Sequence, residues 1–250
     1  MKECNVKDIV IGKGKPKICI PIVGKTDKEI LIQAKSISLL EFDIVELRID
    51  HYRDVLEYNQ LLNLLKQLRT IINRPILFTY RSLKEGGQIQ LSNEQYKEII
   101  QIVCESQLVD LVDIELESGN ILVYQLVEIA HKYNIKVIMS NHDFDKTPHK
   151  QELIDRLERM EAFGADICKI AVMPQSKQDV IRLLEVTSIM SDRLSIPLIT
   201  MSMGQLGVIS RISGELFGSS VTFACAEVAS APGQISVNDM NKLLEVLHND

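Results

Sequence analysis

Residues 136–173 have the sequence KVIMSNHDFDKTPHKQELIDRLERMEAFGADICKIAVM, in which two apolar runs flank a stretch with helical spacing. The runs, 136–142 and 165–173, are rich in β-branched and other apolar residues, as strands buried on both faces are. Two such runs joined by a helix form a parallel pair with a crossover connection. The segment therefore predicts a strand-helix-strand unit, with Thr147 as a candidate cap for its helix.

The same alternation extends along the rest of the chain. Six further strand candidates occur, at 17–24, 43–50, 75–81, 111–117, 197–203 and 220–226. Residues 54–72 carry a leucine stripe with the i, i+3, i+4, i+7 spacing of an amphipathic helix: Leu61, Leu64, Leu65 and Leu68. Helix caps are also expected at Asp27, at Ser176, at Ser236 and at Ser92, which forms a capping-box pattern with Gln95.

Eight strand candidates, each followed by a helix candidate, indicate an α/β fold of the (β/α)₈ TIM barrel type. We expect residues 1–250 to form one domain. The structural alternative is an open doubly wound sheet, which would need a glycine-rich GxGxxG turn that VGKT at 23–26 lacks. Residues 5–15 have two short arms around Gly12 and Gly14, and we expect them to form a hairpin that closes the barrel floor.

Composition narrows the class of protein. Hydrophobic residues make up 46% of the chain, but no run approaches the roughly 20 apolar residues of a membrane span. The net charge of -6 disfavours nucleic acid as a partner. The five cysteines are scattered and show no CxxC spacing, which argues against disulfides and zinc and for a reducing compartment. These features are typical of a soluble cytoplasmic enzyme that acts on a small molecule.

Polar residues occur where the predicted strands end, which is the end at which such barrels carry their active sites. Glu46, Arg48 and Asp50 are spaced by two, so their side chains point to the same face of a strand. The remaining candidates follow or lie within five other strand runs: Arg81, His142, Lys169, Arg211, Ser230 and Gln234.

Lys169 is the most informative of these residues because it lies inside the apolar run ADICKIAVM. Burial disfavours the charged form of an amine, and a neutral amine can attack a ketone or aldehyde to give an imine. The alternative is a structural lysine that reaches water or pairs with a carboxylate such as Glu46. His142 ends the preceding strand and could transfer protons, although a strand-end histidine can equally be structural. A metal site finds no support, because HxH and HExxH patterns are absent.

Three arginines are expected at the same rim of the barrel. Arg48, Arg81 and Arg211 could bind a small acid, since guanidinium binds carboxylate in a bidentate manner. Each could instead form a structural salt bridge. Ser230 and Gln234 lie in ASAPGQIS, a Pro/Gly loop that could close over a ligand or be an ordinary loop.

Six segments together resemble the motifs of type I 3-dehydroquinate dehydratases. They run in order along the chain: ELRID (46–50), FTYRSLKEGGQ (78–88), SNHDFDKTP (140–148), ADICKIAVMP (165–174), MSMGQLGVISRISGELFGS (201–219) and ASAPGQIS (229–236). The resemblance implies a metal-independent (β/α)₈ barrel without a cofactor, typically dimeric, that dehydrates 3-dehydroquinate. Pro21 stands where some relatives have a small polar residue.

The resemblance also implies a role for each candidate residue. Lys169 would form the imine with the substrate ketone, and His142 would be the general acid and base. The substrate would be bound by Glu46, Arg48, Arg81, Arg211, Ser230 and Gln234, with Arg211 on the carboxylate. Glu85 could assist proton balance or be a surface carboxylate.

Two other functions fit the same residues. A class I aldolase would share the barrel and the imine, but it usually needs a phosphate site after the seventh and eighth strands. A non-catalytic barrel that binds a small acid would not need Lys169 and His142 together.

Overall fold

The computed structural model describes residues 2–226 and 231–248 of the chain. Eight parallel strands form one sheet, in the order β10, β3, β4, β5, β6, β7, β8, β9. They are β3(Lys17–Ile22), β4(Ile44–Arg48), β5(Ile76–Thr79), β6(Leu111–Glu115), β7(Lys136–Asp143), β8(Ile167–Val172), β9(Leu198–Ser202) and β10(Val221–Phe223). The amide of Ser220 donates to the carbonyl of Leu198 at 2.8 Å, which links β9 to the start of β10 and completes the ring. The predicted (β/α)₈ barrel is confirmed.

Helices alternate with the barrel strands and cover their outer face. They are α1(Asp27–Ile37), α2(Tyr58–Ile71), α3(Asn93–Ser106), α4(Asn120–Lys132), α5(Lys150–Ala162), α6(Lys177–Arg193), α7(Val208–Ile212), α8(Gly214–Phe217) and α9(Val237–Leu247). The four leucines of the α2 stripe are fully buried against the sheet, as their spacing predicts. None of the helices described is long and apolar enough to cross a membrane.

Local hydrogen bonds decide where the helices begin. Ser92 forms the expected capping box with Gln95, and Ser176 and Ser236 are also N-caps. The prediction for Asp27 was wrong, because the hydroxyl of the preceding Thr26 accepts the amide of Glu29.

The prediction for Thr147 was also wrong. Its hydroxyl donates to the carbonyl of Met173 at 3.1 Å, and the helix begins only after His149. The Thr147 side chain therefore joins two loops at the top of the barrel instead of capping α5.

The N-terminal hairpin closes the barrel floor. Its strands, β1(Cys4–Val6) and β2(Ile9–Ile11), pair antiparallel, so both arms lie before Gly12 and not around Gly12 and Gly14. The apolar side chains of the hairpin pack on the lowest inward residues of the barrel strands: Cys19, Ile44, Leu77, Leu111, Ile138, Ile167, Ile199 and Val221. Apolar side chains of the described residues thus close this end of the barrel, where water is disfavoured.

Candidate active site

The polar residues of the barrel interior lie directly above this apolar floor. Side chains alternate along a strand, so every second residue continues the column that begins at the floor. One step up, five inward residues are polar: Glu46, Thr79, Asp113, Ser140 and Lys169. The next level holds Arg48, Arg81, Glu115 and His142. Charged groups are therefore concentrated at the carboxyl ends of the strands, where ligands of such barrels bind.

Lys169 is held in the barrel interior with only 3% of its surface exposed. Its Nζ atom lies 3.3 Å from Asp113 Oδ2 and 3.8 Å from Glu46 Oε1, and 4.3 Å from the centre of the Phe223 ring. A side chain that reaches bulk water is thereby excluded. The amine is paired with carboxylates, as the structural alternative expected, yet it also faces an internal cavity.

Arg81 and the carboxylates around it form a buried ion-pair network beside Lys169. Arg81 lies 2.9 Å from Asp113 Oδ2 and 3.0 Å from Glu115 Oε1, and its Nη1 donates to Ser140 Oγ at 2.9 Å. Burial opposes the charge of Arg81, but Asp113, Glu115 and Glu85 outweigh it and hold the pKa of Arg81 above its usual value. Its guanidinium is thus neutralised within the protein, although it lines the cavity.

Asp113 and Glu115 are residues that the sequence reasoning missed. Both are buried, and they lie two residues apart in β6, as Glu46 and Arg48 do in β4. Acidic residues at alternate positions inside the apolar run LVDIELE were the signal that could have identified them.

His142 forms a pair with Glu85. The Nδ1 atom of His142 lies 2.9 Å from Glu85 Oε2, and the His142 backbone amide donates to the same oxygen at 2.9 Å. Glu85 is 2% exposed, so it is not the surface carboxylate of the alternative interpretation. It belongs to a short 3-10 turn, Leu83–Glu85, that follows β5.

The electrostatics of this pair favour a neutral imidazole. Burial lowers the pKa of His142 well below its usual value, and the cations Arg81, Lys169 and Arg48 act in the same direction. Burial and the neighbouring Glu115 raise the pKa of Glu85 to about 8. Because the two groups share a hydrogen bond, they titrate as a pair. Above about pH 8 the pair consists of a Glu85 carboxylate that accepts the Nδ1 proton, which leaves Nε2 as the basic nitrogen.

Two further arginines approach the cavity in different ways. Arg48 forms a bidentate pair with Asp50, at 2.8 and 2.9 Å, and lines the cavity. Arg211 is 2% exposed; its Nη2 donates to the carbonyl of Pro232 at 2.9 Å, while its Nε has no hydrogen-bond partner among the residues that the structure describes. Within residues 2–226 and 231–248, no carboxylate lies within 4.0 Å of Arg211, and burial lowers the pKa of Arg211 to about 10. The guanidinium of Arg211 is therefore free to bind an anionic ligand, because no described carboxylate neutralises its charge.

The cavity brings most of the predicted site residues together. It has a volume of about 90 Å³ and is lined by Glu46, Arg48, Arg81, Glu85, Gly86, His142, Phe144, Lys169, Ala171, Met201, Met203, Phe223, Ala231 and Gln234. Arg211 lies beside this set, within 3.8 Å of Met201 Sδ. Ser230 lies outside the described residues. The arrangement joins an amine, an imidazole and unneutralised positive charge, which suits imine formation and proton transfer on a small acid.

Comparisons with known proteins point to one family. Residues 18–250 match the model of the family described as Type I 3-dehydroquinase. The chain is 48% identical over 249 residues to the 3-dehydroquinate dehydratase of Listeria welshimeri, with 99% of each chain covered. It also resembles the crystal structure of the type I 3-dehydroquinate dehydratase from Clostridium difficile, which was solved with covalent modified comenic acid. The TM-score is 0.96 and the identity 46%, over 99% of this chain and 98% of that one.

Proposed function

This chain belongs to the type I 3-dehydroquinase family, and from that membership we propose how its buried residues carry out the reaction. Its activity is the dehydration of 3-dehydroquinate, which makes it a hydro-lyase. We propose that the reaction proceeds through an imine on Lys169, with His142 as acid and base, and yields 3-dehydroshikimate. The observation that carries the proposal is the burial of Lys169 in the cavity that His142 also lines.

The first step is attack of the Lys169 amine on the C3 ketone of the substrate. The Nζ–C3 bond forms, and the carbinolamine then loses its oxygen as water to give a protonated imine. Asp113 and Glu46, at 3.3 and 3.8 Å from Nζ, hold the amine in place and balance the cationic imine. The Phe223 ring, 4.3 Å away, also favours a cation at this position.

The second step is elimination. The imine withdraws electrons from C2, so Nε2 of His142 can remove a C2 proton and leave an enamine. The electron pair of the enamine then expels the C1 hydroxyl, which leaves as water with the proton returned by His142. Hydrolysis of the imine releases 3-dehydroshikimate and restores the Lys169 amine, so the reaction needs no external acid, oxidant or metal.

The substrate carboxylate needs a cation that the protein does not already neutralise. Arg211 meets this condition among the described residues, so we propose that it holds the C1 carboxylate and turns the C1 hydroxyl toward His142. Arg48, Glu46, Gln234 and Ser230 would contact the ring hydroxyls. Arg81 follows β5 one level above Asp113 and Lys169 and lines the cavity, so we propose that it contacts the substrate and also holds Asp113 in place.

The wider assignment follows from the family. We propose that residues 1–250 form a single catalytic domain and that two copies form a homodimer in the cytoplasm. We propose further that the enzyme works without metal or cofactor in the shikimate pathway, which supplies aromatic amino acids. The free and mostly buried cysteines fit a reducing compartment.

Borohydride trapping tests the imine directly. Protein incubated with 3-dehydroquinate and borohydride should gain one reduced adduct, which peptide mass spectrometry should locate at Lys169. Lys169→Ala should abolish both turnover and trapping, whereas His142→Ala should still form some imine but lose elimination.

The control is Lys136→Ala, since Lys136 lies at the floor end of the neighbouring strand and pairs with Asp166. This variant should trap and turn over normally. A barrel that only binds a small acid would give no adduct, and an aldolase would release a product other than 3-dehydroshikimate. Near-normal turnover by Lys169→Ala would overturn the imine mechanism.

A further inference from the structure

A chain of hydrogen bonds connects His142 with the outer helix α5. Asn141 is 5% exposed and precedes His142 in β7, so its side chain points away from the barrel interior. Its Nδ2 donates to Glu85 Oε1 at 3.2 Å, while its Oδ1 accepts from Arg156 Nη1 at 2.5 Å. Arg156 pairs in turn with Glu152, one turn earlier in α5. The chain thus runs from α5 through Asn141 and Glu85 to the imidazole.

Arg156 determines which way the Asn141 amide faces. An asparagine side chain has one end that donates and one that accepts, and a guanidinium can only donate. The Asn141 oxygen must therefore face Arg156, and its NH₂ group must face Glu85. Glu152 fixes Arg156 from the other side, so the orientation does not depend on the occupancy of the catalytic cavity.

From this geometry we propose that Asn141, oriented by Arg156, is a positioning residue that keeps Glu85 as the acceptor of the His142 Nδ1 proton. The inference rests on the proposed role of His142 as the base. With Glu85 as a carboxylate, the imidazole proton stays on Nδ1 and Nε2 is free to accept a proton. When Glu85 is protonated, its carboxyl group donates to Nδ1. The ring proton of His142 then lies on Nε2, and His142 can no longer act as a base.

The groups around Glu85 act on its pKa in opposite directions, so one further hydrogen bond from Asn141 can decide whether Glu85 is a carboxylate. Burial, Glu115 and Asp113 all favour a protonated Glu85, and the pKa of Glu85 is raised to about 8. Arg81, 3.6 Å from Oε2, and the His142 backbone amide favour the carboxylate. The cations that face the imidazole are Arg48, Arg81 and Lys169. The Asn141 amide, which donates to Glu85 Oε1, also favours the carboxylate form of Glu85, and it does so without adding a charge to the cavity.

The test is the pH profile of kcat/KM for Asn141→Leu, which keeps the side-chain size but removes the donor. A lost hydrogen bond to a carboxylate should move the acid limb upward by about one pH unit. At pH 7 the variant should therefore lose roughly 10-fold in kcat/KM, and it should recover most of this loss at high pH. A purely structural defect would lower kcat/KM equally at every pH.

Arg156 provides a second route to the same result. Arg156→Gln, in a partly exposed position, removes the guanidinium and should give a smaller upward shift, whereas Arg156→Lys should restore part of the wild-type profile. This pair keeps the proposal testable if Asn141→Leu does not fold. The matched control is Thr200→Val, which removes a buried hydrogen bond to Thr187 on the outer face of β9. Thr200→Val should leave the acid limb of the kcat/KM profile at the wild-type pH.

Failure of this proposal is distinct from failure of the mechanism. Wild-type kcat/KM without an acid limb, or a fully active His142→Ala, would remove the premise that His142 is the base. If the wild type has the limb, and all Asn141 and Arg156 variants keep it at the same pH, the positioning role is wrong. Borohydride trapping should remain intact in every Asn141 and Arg156 variant, because Lys169 does not depend on the hydrogen-bond chain.

Discussion

Arg211 is a buried cation whose charge no carboxylate of the described part of the chain balances. We expect Arg211→Met to lower kcat/KM by roughly 100-fold, as the loss of one partner of a buried charge pair does. The same change should not lower the free energy of unfolding, because an unbalanced buried charge opposes folding. Steady-state kinetics and urea denaturation of the ligand-free protein measure the two effects.

Arg81→Met is the contrasting variant for this prediction. Arg81 is bound to Asp113 and Glu115, so its removal leaves buried carboxylates unpaired and should destabilise the fold by about 3–5 kcal/mol. If Arg211→Met were as unstable as Arg81→Met, the guanidinium of Arg211 would be a structural group and the proposed carboxylate clamp would be wrong.

The His142–Glu85 pair predicts how activity depends on pH. In the proposed mechanism the active form has a carboxylate at Glu85 and a free Nε2 on His142, and burial raises the pKa of Glu85 to about 8. Lowering the pH through this value adds a proton to the pair, so kcat/KM should fall on the acid side of about pH 8 and level off above it. Initial rates at subsaturating 3-dehydroquinate give this profile.

A control separates this titration from acid unfolding. Circular dichroism should remain unchanged between pH 6 and 9 while kcat/KM changes. An activity plateau that extends unchanged down to pH 6 would show that Glu85 keeps its ordinary pKa, and the pair would not function as described.

At the level of single residues, the sequence predicted what stands out against an apolar background. Lys169 was proposed because it is a charged group inside a buried run, and His142 because it is a titratable group at the end of the preceding run. Glu85 was left between two interpretations, because its burial depends on a 3-10 turn that folds back onto β7. Spacing within one segment does not contain that contact. The contacts that Asp113 and Asn141 make also join separate segments of the chain, so spacing within one segment does not reveal these contacts either.

The N-terminal hairpin is the element whose role can be tested by itself. Ile11 ends the second strand of the hairpin and is fully buried against the lowest inward residues of the barrel, so we expect Ile11→Ala to cost about 2–5 kcal/mol of unfolding free energy. Because the proposed catalytic residues lie at the other end of the strands, kcat measured well below the unfolding temperature should stay close to wild type. Urea denaturation and steady-state rates provide both values.

Ile32→Ala is a suitable comparison, since Ile32 is 53% exposed on α1 and its truncation should change stability by no more than about 0.5 kcal/mol. A large drop in kcat for a folded Ile11→Ala protein would mean that the floor and the active site are coupled. The separation of stability and catalysis along the barrel axis would then be wrong.

At the level of elements, the periodic patterns were sufficient for strands and helices but not for their ends. All eight barrel strands appear where the apolar runs predict them, because a strand buried on both faces leaves a continuous signal. The ends depend on single hydroxyl contacts. Thr26 and Asp27 are adjacent cap candidates, and only the backbone conformation of Thr26 selects between them. The hairpin arms were misplaced for a similar reason, since the turn uses Lys7 with a φ of 51° and no glycine.

Across the whole molecule, polarity is sorted along the barrel axis. The hairpin and the lowest strand residues exclude water from one end, and the charged levels occupy the other end. The protein carries a net charge of -6, yet Arg211 offers positive charge beside the cavity. In the proposed mechanism a small anionic substrate is therefore held by local charge and not by the overall field. Composition alone could not indicate this, because it does not tell which charges are neutralised internally.

The cysteines provide the last prediction, which concerns the whole fold. All five are free, and four of them are buried. Burial raises the pKa of Cys4 to about 11 and that of Cys104 to about 12, and it raises the pKa of Cys19 and Cys168 as well. Since the thiolate is the reactive form, we expect Ellman's reagent at pH 8 to modify at most one thiol rapidly in the native protein and five in denaturant.

The fast thiol should be Cys225, which is half-buried, so Cys225→Ser should remove the rapid phase and leave four thiols that react only on unfolding. The slow phase then reports opening of the barrel, and its rate should increase in Ile11→Ala because Cys4 packs in the same floor cluster. Two or more rapidly reacting thiols in the native wild type would show that the closed floor and the packed outer layer open readily. The apolar end of the barrel would then not exclude water, contrary to the arrangement on which the catalytic cavity depends.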